Sequence, residues 1–517
     1  MKRILIVGGG TAGWMTAAYL SKAVPSLQVA VVESARVNRI GVGEATFSTI
    51  RHFFDFLGLD EAEWLPRCGG GYKLGIKFEN WSGDGSHFFH PFERWDSVRG
   101  FSLPEWWLSA DPEQRGRFDT ATFVSPNLCE ALRSPRRHDG TVYALAPESL
   151  GETTLMEQRD QFPYAYHFDA DKVAVFLADY AIARGVTHVT DDVIEVRAGS
   201  QRIDGVMTRE HGLLEADYFV DCTGFRSLLL GGALGVEFES FADALPNNRA
   251  VALRVPRAEV EIMEPFTTAK TMTAGWRWTI PLYERNGYGY VYCDDYITPD
   301  EAERELRDSI PVPTDGYEAN HIRMRIGRAS TPWRGNCVGI GLSAAFVEPL
   351  ESTGIFFIQQ AIELFVRFMP SGEDAEDAPL RAEYNRRVRG MTEGVKHFLA
   401  LHFAAARRND SAYWRDLKTR IRTPEVERVL RVGEAMLLDD QSIYPDYHGF
   451  ESYSWNTMLL GLTGGPRQPR PAIRAQDRDG ATERFSAVRL RAEEAIAALP
   501  TCYDYIDGLV QNASRRT

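Results

Sequence analysis

Two short stretches of this chain carry residue types and spacings suited to holding anions. Residues 8–13, Gly-Gly-Gly-Thr-Ala-Gly, follow the apolar run Ile4–Val7 and precede a helical stretch, Trp14–Ala23. In that context G-x-G-x-x-G has a physical reading. Gly8 permits a tight turn, Gly10 lets the backbone approach a pyrophosphate, and Gly13 lets the helix pack on the strand, with Thr11 and Ala12 at the helix start. A second apolar run, Val29–Val32, ends at Glu33, about twenty residues on, where a carboxylate suits a ribose hydroxyl. The motif does not choose between FAD and NAD. The other stretch is Ser352-Thr353-Gly354, ahead of a helical run from Ile355 to Phe368. Unpaired amides at a helix start, with the positive end of its dipole, make an anion site. The same residues also read as an ordinary Ser/Thr-capped start, and Glu351 as an acid suited to a helix N-terminus.

Several elements must position these groups. Tyr218-Phe219-Val220 reads as a further buried strand, running into the turn Asp221-Cys222-Thr223-Gly224. Trp276, Trp278 and Ile280 alternate on one side of an extended segment that Pro281 ends by removing a backbone donor, which makes a bulky apolar wall or a core strand. From about residue 370 the text turns helical, over Leu380–Arg389, Thr392–Ala406, Pro424–Leu437 and Arg489–Leu499, with surface loops expected at 372–379 and 464–479. The fold expected is α/β, with a Rossmann-like dinucleotide-binding core over residues 1–369 and a mostly helical module over 370–517.

The bulk composition narrows the partners. The 517 residues are 44% hydrophobic and 25% charged, ordinary for a large globular protein, and the formal charge of −14 without a basic stripe disfavours nucleic acid. Six scattered cysteines offer no metal-ligand spacing and suit a reducing cytosol. No apolar run reaches the ~18 residues that a membrane span needs. A cytoplasmic protein with small ligands, no metal and no membrane is expected.

Taken together, the motifs resemble the tryptophan halogenase family of flavin-dependent halogenases over roughly Ile4 to Trp414. The segments that carry the likeness are Gly8–Gly13, Gly41–Thr46, Tyr72–Phe78, Phe89–Phe92, Tyr166–Ala170, the W-x-W-x-I-P run Trp276–Pro281, and Phe346–Gly354 with its Glu-Pro-Leu-Glu-Ser-Thr-Gly core. The resemblance implies the FAD-binding, two-dinucleotide-binding-domain fold of GR2-type flavoproteins over residues 1–369, with substrate-site segments inserted at about 72–165 and the helical module over 370–517 completing the substrate pocket. It implies a two-component reaction: an NAD(P)H-dependent reductase supplies FADH2, oxygen gives a flavin C4a-hydroperoxide, and chloride or bromide is oxidised to hypohalous acid. The acid crosses a tunnel to a lysine beside an electron-rich aromatic such as indole or a tryptophan derivative.

The resemblance also assigns residues. Lys73 matches the catalytic lysine, as a hydrogen-bond donor to the acid or as a haloamine, although by composition alone it reads as a surface lysine. Lys77, four residues on, has neither a helical nor a strand argument that would make it catalytic and is taken as structural or phosphate-facing. Glu351 matches the glutamate that orients the halogenating species and accepts the ring proton. Thr353 and Gly354 would bind halide through backbone N–H groups, with Ser352 beside the substrate. His90 and Phe92 match rings that stack on the substrate, although a histidine in an apolar run is more often core. FAD would be held by Gly8, Gly10, Thr11, Ala12, Gly13, Glu33, Gly43, Glu44, Ala45, Thr46, Asp221, Gly224, Trp276, Ile280 and Pro281. The segment Ile443–Trp455 departs from the pattern of free-tryptophan halogenases, with Pro445 after Tyr444 and altered spacing, so an indole-type halogenase acting on free indole or another indole-like or phenolic aromatic is expected as readily as one acting on tryptophan. Tyr444 and Trp455 are carried as substrate contacts, and Tyr447 and Glu451 as further pocket residues. A flavin aromatic hydroxylase and a non-catalytic flavin-binding protein are the rival readings, and a homodimer is an open expectation.

Overall fold

A computed structural model describes residues 2–37, 43–113, 115–143, 163–369, 378–421, 423–466 and 468–515. Gly41 and Val42 of the segment 41–46 lie outside the described residues, as do residues 372–377 of the expected loop.

The apolar run at the N-terminus forms the strand Arg3–Val7, which pairs in parallel with Gln28–Glu33 on one side and Tyr218–Asp221 on the other. Thr187–Thr190 and Cys337–Gly339 extend this sheet in parallel, and Trp333–Arg334 closes it antiparallel. Strands buried on both faces need continuous apolar text, and Ile-Leu-Ile-Val supplies it. The helix Thr11–Ala23 covers one face.

A second, seven-stranded sheet carries the tryptophan run. Its order is Asn320–Arg323, Arg249–Pro256, Arg285–Tyr292, Gly275–Pro281, Thr267–Met272, Gly75–Glu79 and His87–Pro91. The Trp276 strand is therefore interior, paired on both sides, and all seven of its residues are buried. Pro281 sits opposite Asn286 at the hairpin end, where a missing donor costs little. The pairing of Thr267–Met272 with Gly75–Glu79 is parallel, and it joins the segment from 71 to 91 to the sheet's later strands. Lys77 falls within this strand opposite Phe89, and its Nζ lies 5.9 Å from the Phe266 ring centre.

A small third sheet links Glu44–Ala45, Ala165–Phe168 and Gly71–Lys73. The C-terminal text is helical, with corrections at its boundaries. Leu380–Arg389 and Thr392–Ala406 form one 28-residue helix, Ala378–Ala405, because no glycine or proline signal strong enough to stop it lies between them. The expected loop at 464–479 contains a short helix, Pro471–Arg474, and is tied down by Arg470–Glu105 and Arg99–Asp477 ion pairs. One apolar core runs from Ile4 and Trp14 through Trp276 and Phe398 to Trp455 and Ile506.

Candidate active site

The glycine turn has the geometry of a cradle. Gly8 holds φ +110°, and a Cβ there would lie 2.3 Å from the Cys222 carbonyl oxygen. Gly13 packs so closely that a Cβ would meet the Gly8 carbonyl at 1.9 Å. Gly10 is different: an added Cβ finds nothing within 4 Å, so the turn is open where a ligand backbone contact is needed. The helix from Thr11 has no side-chain cap, which leaves its first amides for an anion. Glu33 lies over Gly9, where a Cβ would sit 1.9 Å from Oε2, and its Oε1 pairs with His188 at 2.9 Å. On the far side of the turn the Asp221 carboxylate accepts N–H groups of Thr223, Leu229 and Leu230. It is consumed by its own turn, so its contribution is to hold Gly224, which has φ +66° and open space at its Cβ position. These features fit a dinucleotide.

Gly43, Glu44, Ala45 and Thr46 run past the end of the tryptophan strand. A Cβ on Gly43 would lie 3.7 Å from Ile280 Cγ2. Burial, with Asp171 and Asp169 nearby, pushes the Glu44 carboxyl up to about 7. Trp276 and Trp278 share a face at 6.1 Å between rings, and the Trp276 Nε1–H donates to Glu348 Oε2 at 2.8 Å. Asn247 donates to the same oxygen at 2.8 Å, while Glu348 Oε1 has no partner; burial pushes that carboxyl up to about 7.

Thr46 then links this side to Lys73. Its hydroxyl donates to the Tyr166 carbonyl, and its own carbonyl accepts from Lys73 Nζ at 2.9 Å. Lys73 is fully buried at the end of the strand Gly71–Lys73 and also donates to Ser352 Oγ at 2.9 Å. Burial pushes its ammonium down to about 7, against the pull of the Glu351 carboxylate. The Nζ lies 5.2 Å from the centre of the Phe92 ring.

Glu351 is buried in the turn Pro349–Glu351, just before the helix Thr353–Arg367. It does not cap that helix. Its oxygens are each 3.0 Å from His90 Nδ1, and Oε1 is 2.8 Å from His402 Nε2. Burial alone would raise this carboxyl, but the two histidines outweigh it and bring it down to about 2. Sequence reasoning missed His402; the signal was a lone polar residue on the buried face of a helix, four positions after Phe398.

The helix behind Glu351 starts at Ser352, whose φ of +60° turns the chain sharply and whose hydroxyl caps nothing. Thr353 is buried with its Oγ1 unpartnered, and a Cβ on Gly354 meets nothing within 4 Å. The Ser/Thr-capped reading is thus replaced by an uncapped start with room beside it.

Aromatic rings close the site. Phe47 lies 5.6 Å from Phe92 and 5.4 Å from Phe450, and His90 lies 5.9 Å from Phe398 and 6.3 Å from Phe450. Phe398 and Phe450 stack at 4.1 Å. Trp455 is one layer out, fully buried against Phe398 and donating to His448, and Tyr444 packs on His397 and His448. At the rim, Arg94 pairs with Glu451, both about half exposed, and Tyr447 lies 6.1 Å from Phe356. Phe47, Phe398 and Phe450 were not anticipated, since isolated phenylalanines in apolar text carry no site signal. Among the described residues no cluster of His, Cys, Asp or Glu is placed to hold a metal ion, and no helix is long and apolar enough to cross a membrane.

Comparison with known proteins places this arrangement. The family model "Tryptophan halogenase" matches residues 3–478. The 7-chloro-L-tryptophan 6-halogenase KtzR of Kutzneria sp. (strain 744) is 50% identical, over 97% of this chain and 98% of its own. The tryptophan 6-halogenase SttH of Streptomyces toxytricini is 48% identical over 98% of both. The solved structure of Tar14, a tryptophan C-6 flavin-dependent halogenase (chlorinase) from taromycin biosynthesis, matches with a TM-score of 0.92 at 48% identity, covering 98% of this chain and all of that one.

Proposed function

The chain belongs to the tryptophan halogenase family of flavin-dependent halogenases and halogenates an indole or tryptophan ring; from that premise we propose that its substrate is tryptophan or a ring-chlorinated tryptophan, halogenated at C-6. The regiochemistry rests on what the three relatives are named for. Recognition of an amino acid rests on the Arg94–Glu451 pair at the rim of the aromatic box, where a guanidinium and a carboxylate match a substrate's carboxylate and ammonium. Tyr444 and Trp455 would brace that rim from behind. The hydroxylase and non-catalytic readings are not favoured by these relatives.

The observation that carries the chemistry is Lys73 and Glu351, both buried, beneath rings that can hold a flat substrate. FAD, supplied reduced by a separate reductase, would be held by Gly8, Gly10, Thr11, Ala12, Gly13, Glu33, Gly43, Glu44, Ala45 and Thr46, with Asp221 and Gly224 shaping the turn and Trp276, Ile280 and Pro281 forming the wall. Reduced flavin and oxygen supply the oxidising power that turns chloride or bromide into hypohalous acid. Thr353 and Gly354 hold the halide on their amides. Lys73 donates to the hydroxyl of the acid and gives the proton that lets it leave as water. Glu351 takes the ring proton, and the C–H electron pair restores aromaticity. The sum is ArH + HOX → ArX + H2O.

The reductase, a homodimer, a cytoplasmic location and the division of the chain at 369/370 belong to the same proposal. The test is conversion of tryptophan, 7-chlorotryptophan and indole with a flavin reductase, oxygen and chloride or bromide. Product at C-6 by NMR is expected, with Glu451→Ala raising KM for tryptophan and leaving KM for indole unchanged. Halogen at another ring carbon overturns the C-6 assignment, and equal KM changes for tryptophan and indole overturn the rim's role.

A further inference from the structure

Both ring nitrogens of His402 face groups that accept. Its Nδ1 lies 2.7 Å from the Phe398 carbonyl oxygen, which can only accept, so Nδ1 carries a proton. Its Nε2 lies 2.8 Å from Glu351 Oε1. A bare Nε2 lone pair facing an ionised carboxylate at that distance, with no water between, would be repulsive. The pair therefore holds one proton between the two atoms. It stands either on His402, giving an imidazolium beside a carboxylate, or on Glu351.

The surroundings choose. Glu351 receives a second donor, His90 Nδ1, at 3.0 Å to each oxygen, and it interacts electrostatically with the Lys73 ammonium. Two donors and a cation favour the carboxylate. His402 itself is fully buried, and its other neighbours are the rings of Phe78, Trp81 and Phe398, which offer no competing acid. Among the described residues, the titratable groups that face the pair are Lys73, His90 and Tyr453.

We propose that His402 is a positioning residue that carries a proton on both ring nitrogens and thereby holds Glu351 as an oriented carboxylate, with Oε1 engaged by both histidines and Oε2 by His90 alone, so that Oε2 keeps a lone pair to receive the proton of the halogenated ring. This rests on the reading of Glu351 as the ring-proton acceptor. In the step, the ring C–H bond breaks, its electron pair returns to the ring, and the proton bonds to Oε2. The Nε2–H stays on His402 and now donates to a neutral acid. Without that charge the buried carboxyl holds its proton to higher pH and no longer accepts one.

The test uses the full chain. In 15N-histidine-labelled protein at pH 7, one ring with both nitrogens protonated is expected, absent in His402→Gln and lost in Glu351→Gln. Steady-state halogenation should show its acidic limb displaced upward by at least about one pH unit in His402→Gln, whose amide keeps a neutral donor. The kcat is expected to fall while KM for the aromatic is held. All histidines neutral at pH 7, or a lowered kcat with an unmoved acidic limb, overturns the proposal. Full activity in Glu351→Gln instead overturns the reading of Glu351, and the NMR result then still decides the proton on His402.

Discussion

Lys73 ends in a buried fork, with one hydrogen bond to the Thr46 carbonyl, one to Ser352, and a third position turned toward Phe92. As an ammonium it has a donor left for hypohalous acid; as an amine it has a lone pair there. With its ammonium held near 7, the two forms interchange in an accessible range. The proton that the leaving hydroxide needs assigns the working form to the ammonium. The rate of transfer to the ring is expected to fall as pH rises through about 7, measured as aryl halide formed per hypohalous acid generated. Lys73→Ala is expected to lower that yield by ~10²–10⁴-fold, the usual range for a positioned acid. Glu348 gives a second residue-level outcome. Its folded carboxyl is raised to about 7, so the folded state binds more protons than the unfolded one above the usual carboxylate range, and its contribution to stability falls as pH rises through that interval. Glu348→Gln mimics the neutral acid. Its melting temperature relative to wild type is therefore expected to climb between about pH 5 and about pH 8, with little change at the acidic end.

Among the elements, the helix Thr353–Arg367 gives a separable test. Gly354→Ala adds a methyl into open space in the protein alone and improves helix propensity by up to about 1 kcal/mol, so the fold is expected to hold or gain stability. Halide is expected to suffer. The half-saturating chloride or bromide concentration should rise by about tenfold or more, about 1.4 kcal/mol, read from steady-state rates at fixed substrate. An unchanged halide dependence would remove the amides of Thr353 and Gly354 from the site. These elements also separate what was legible in the sequence from what was not. The glycine cradle is mostly local, with strand, turn and helix contiguous within residues 3–33, while the Cys222 carbonyl against Gly8 comes from far along the chain. The Lys73 neighbourhood is assembled from Thr46, His90, Glu351, Phe398, His402 and Phe450, which meet only through sheet pairing and helix docking. Periodicity placed the helix that carries His402 without saying which of its buried residues faces Glu351. The Trp276 strand was read as extended, but its place inside a seven-stranded sheet depends on partners from both before and after it in the chain.

At the scale of the whole molecule, the helical C-terminal stretch supplies part of the same core as the strands. Phe88 touches Gly461, Trp81 meets Trp414 at 5.7 Å, and His402 sits 5.4 Å from Phe78. Unfolding is expected as one calorimetric transition, with equal van't Hoff and calorimetric enthalpies. A chain ending at Met369 is expected to be insoluble or to bind hydrophobic dyes. Two separate transitions would instead mark residues 370–517 as an independently folding unit.

The parallel joint between Gly75–Glu79 and Thr267–Met272 has a consequence for how such an enzyme can be altered. Lys73, two residues ahead of that joint, ends the neighbouring strand Gly71–Lys73, which pairs with Ala165–Phe168, so the point where the oxidant is proposed to arrive is held by backbone pairing in the small sheet and, through Gly75–Glu79, in the large one. The rim built from Arg94, Tyr447 and Glu451 sits on the loops after His87–Pro91 and before the helix Ser452–Thr463, outside that pairing. With the substrate seated as proposed, variation there would turn it over a stationary oxidant. A library confined to residues 443–453 should therefore redistribute product isomers while leaving the oxidising half of the enzyme untouched, and regiochemistry becomes a property to be selected by reshaping the seat alone.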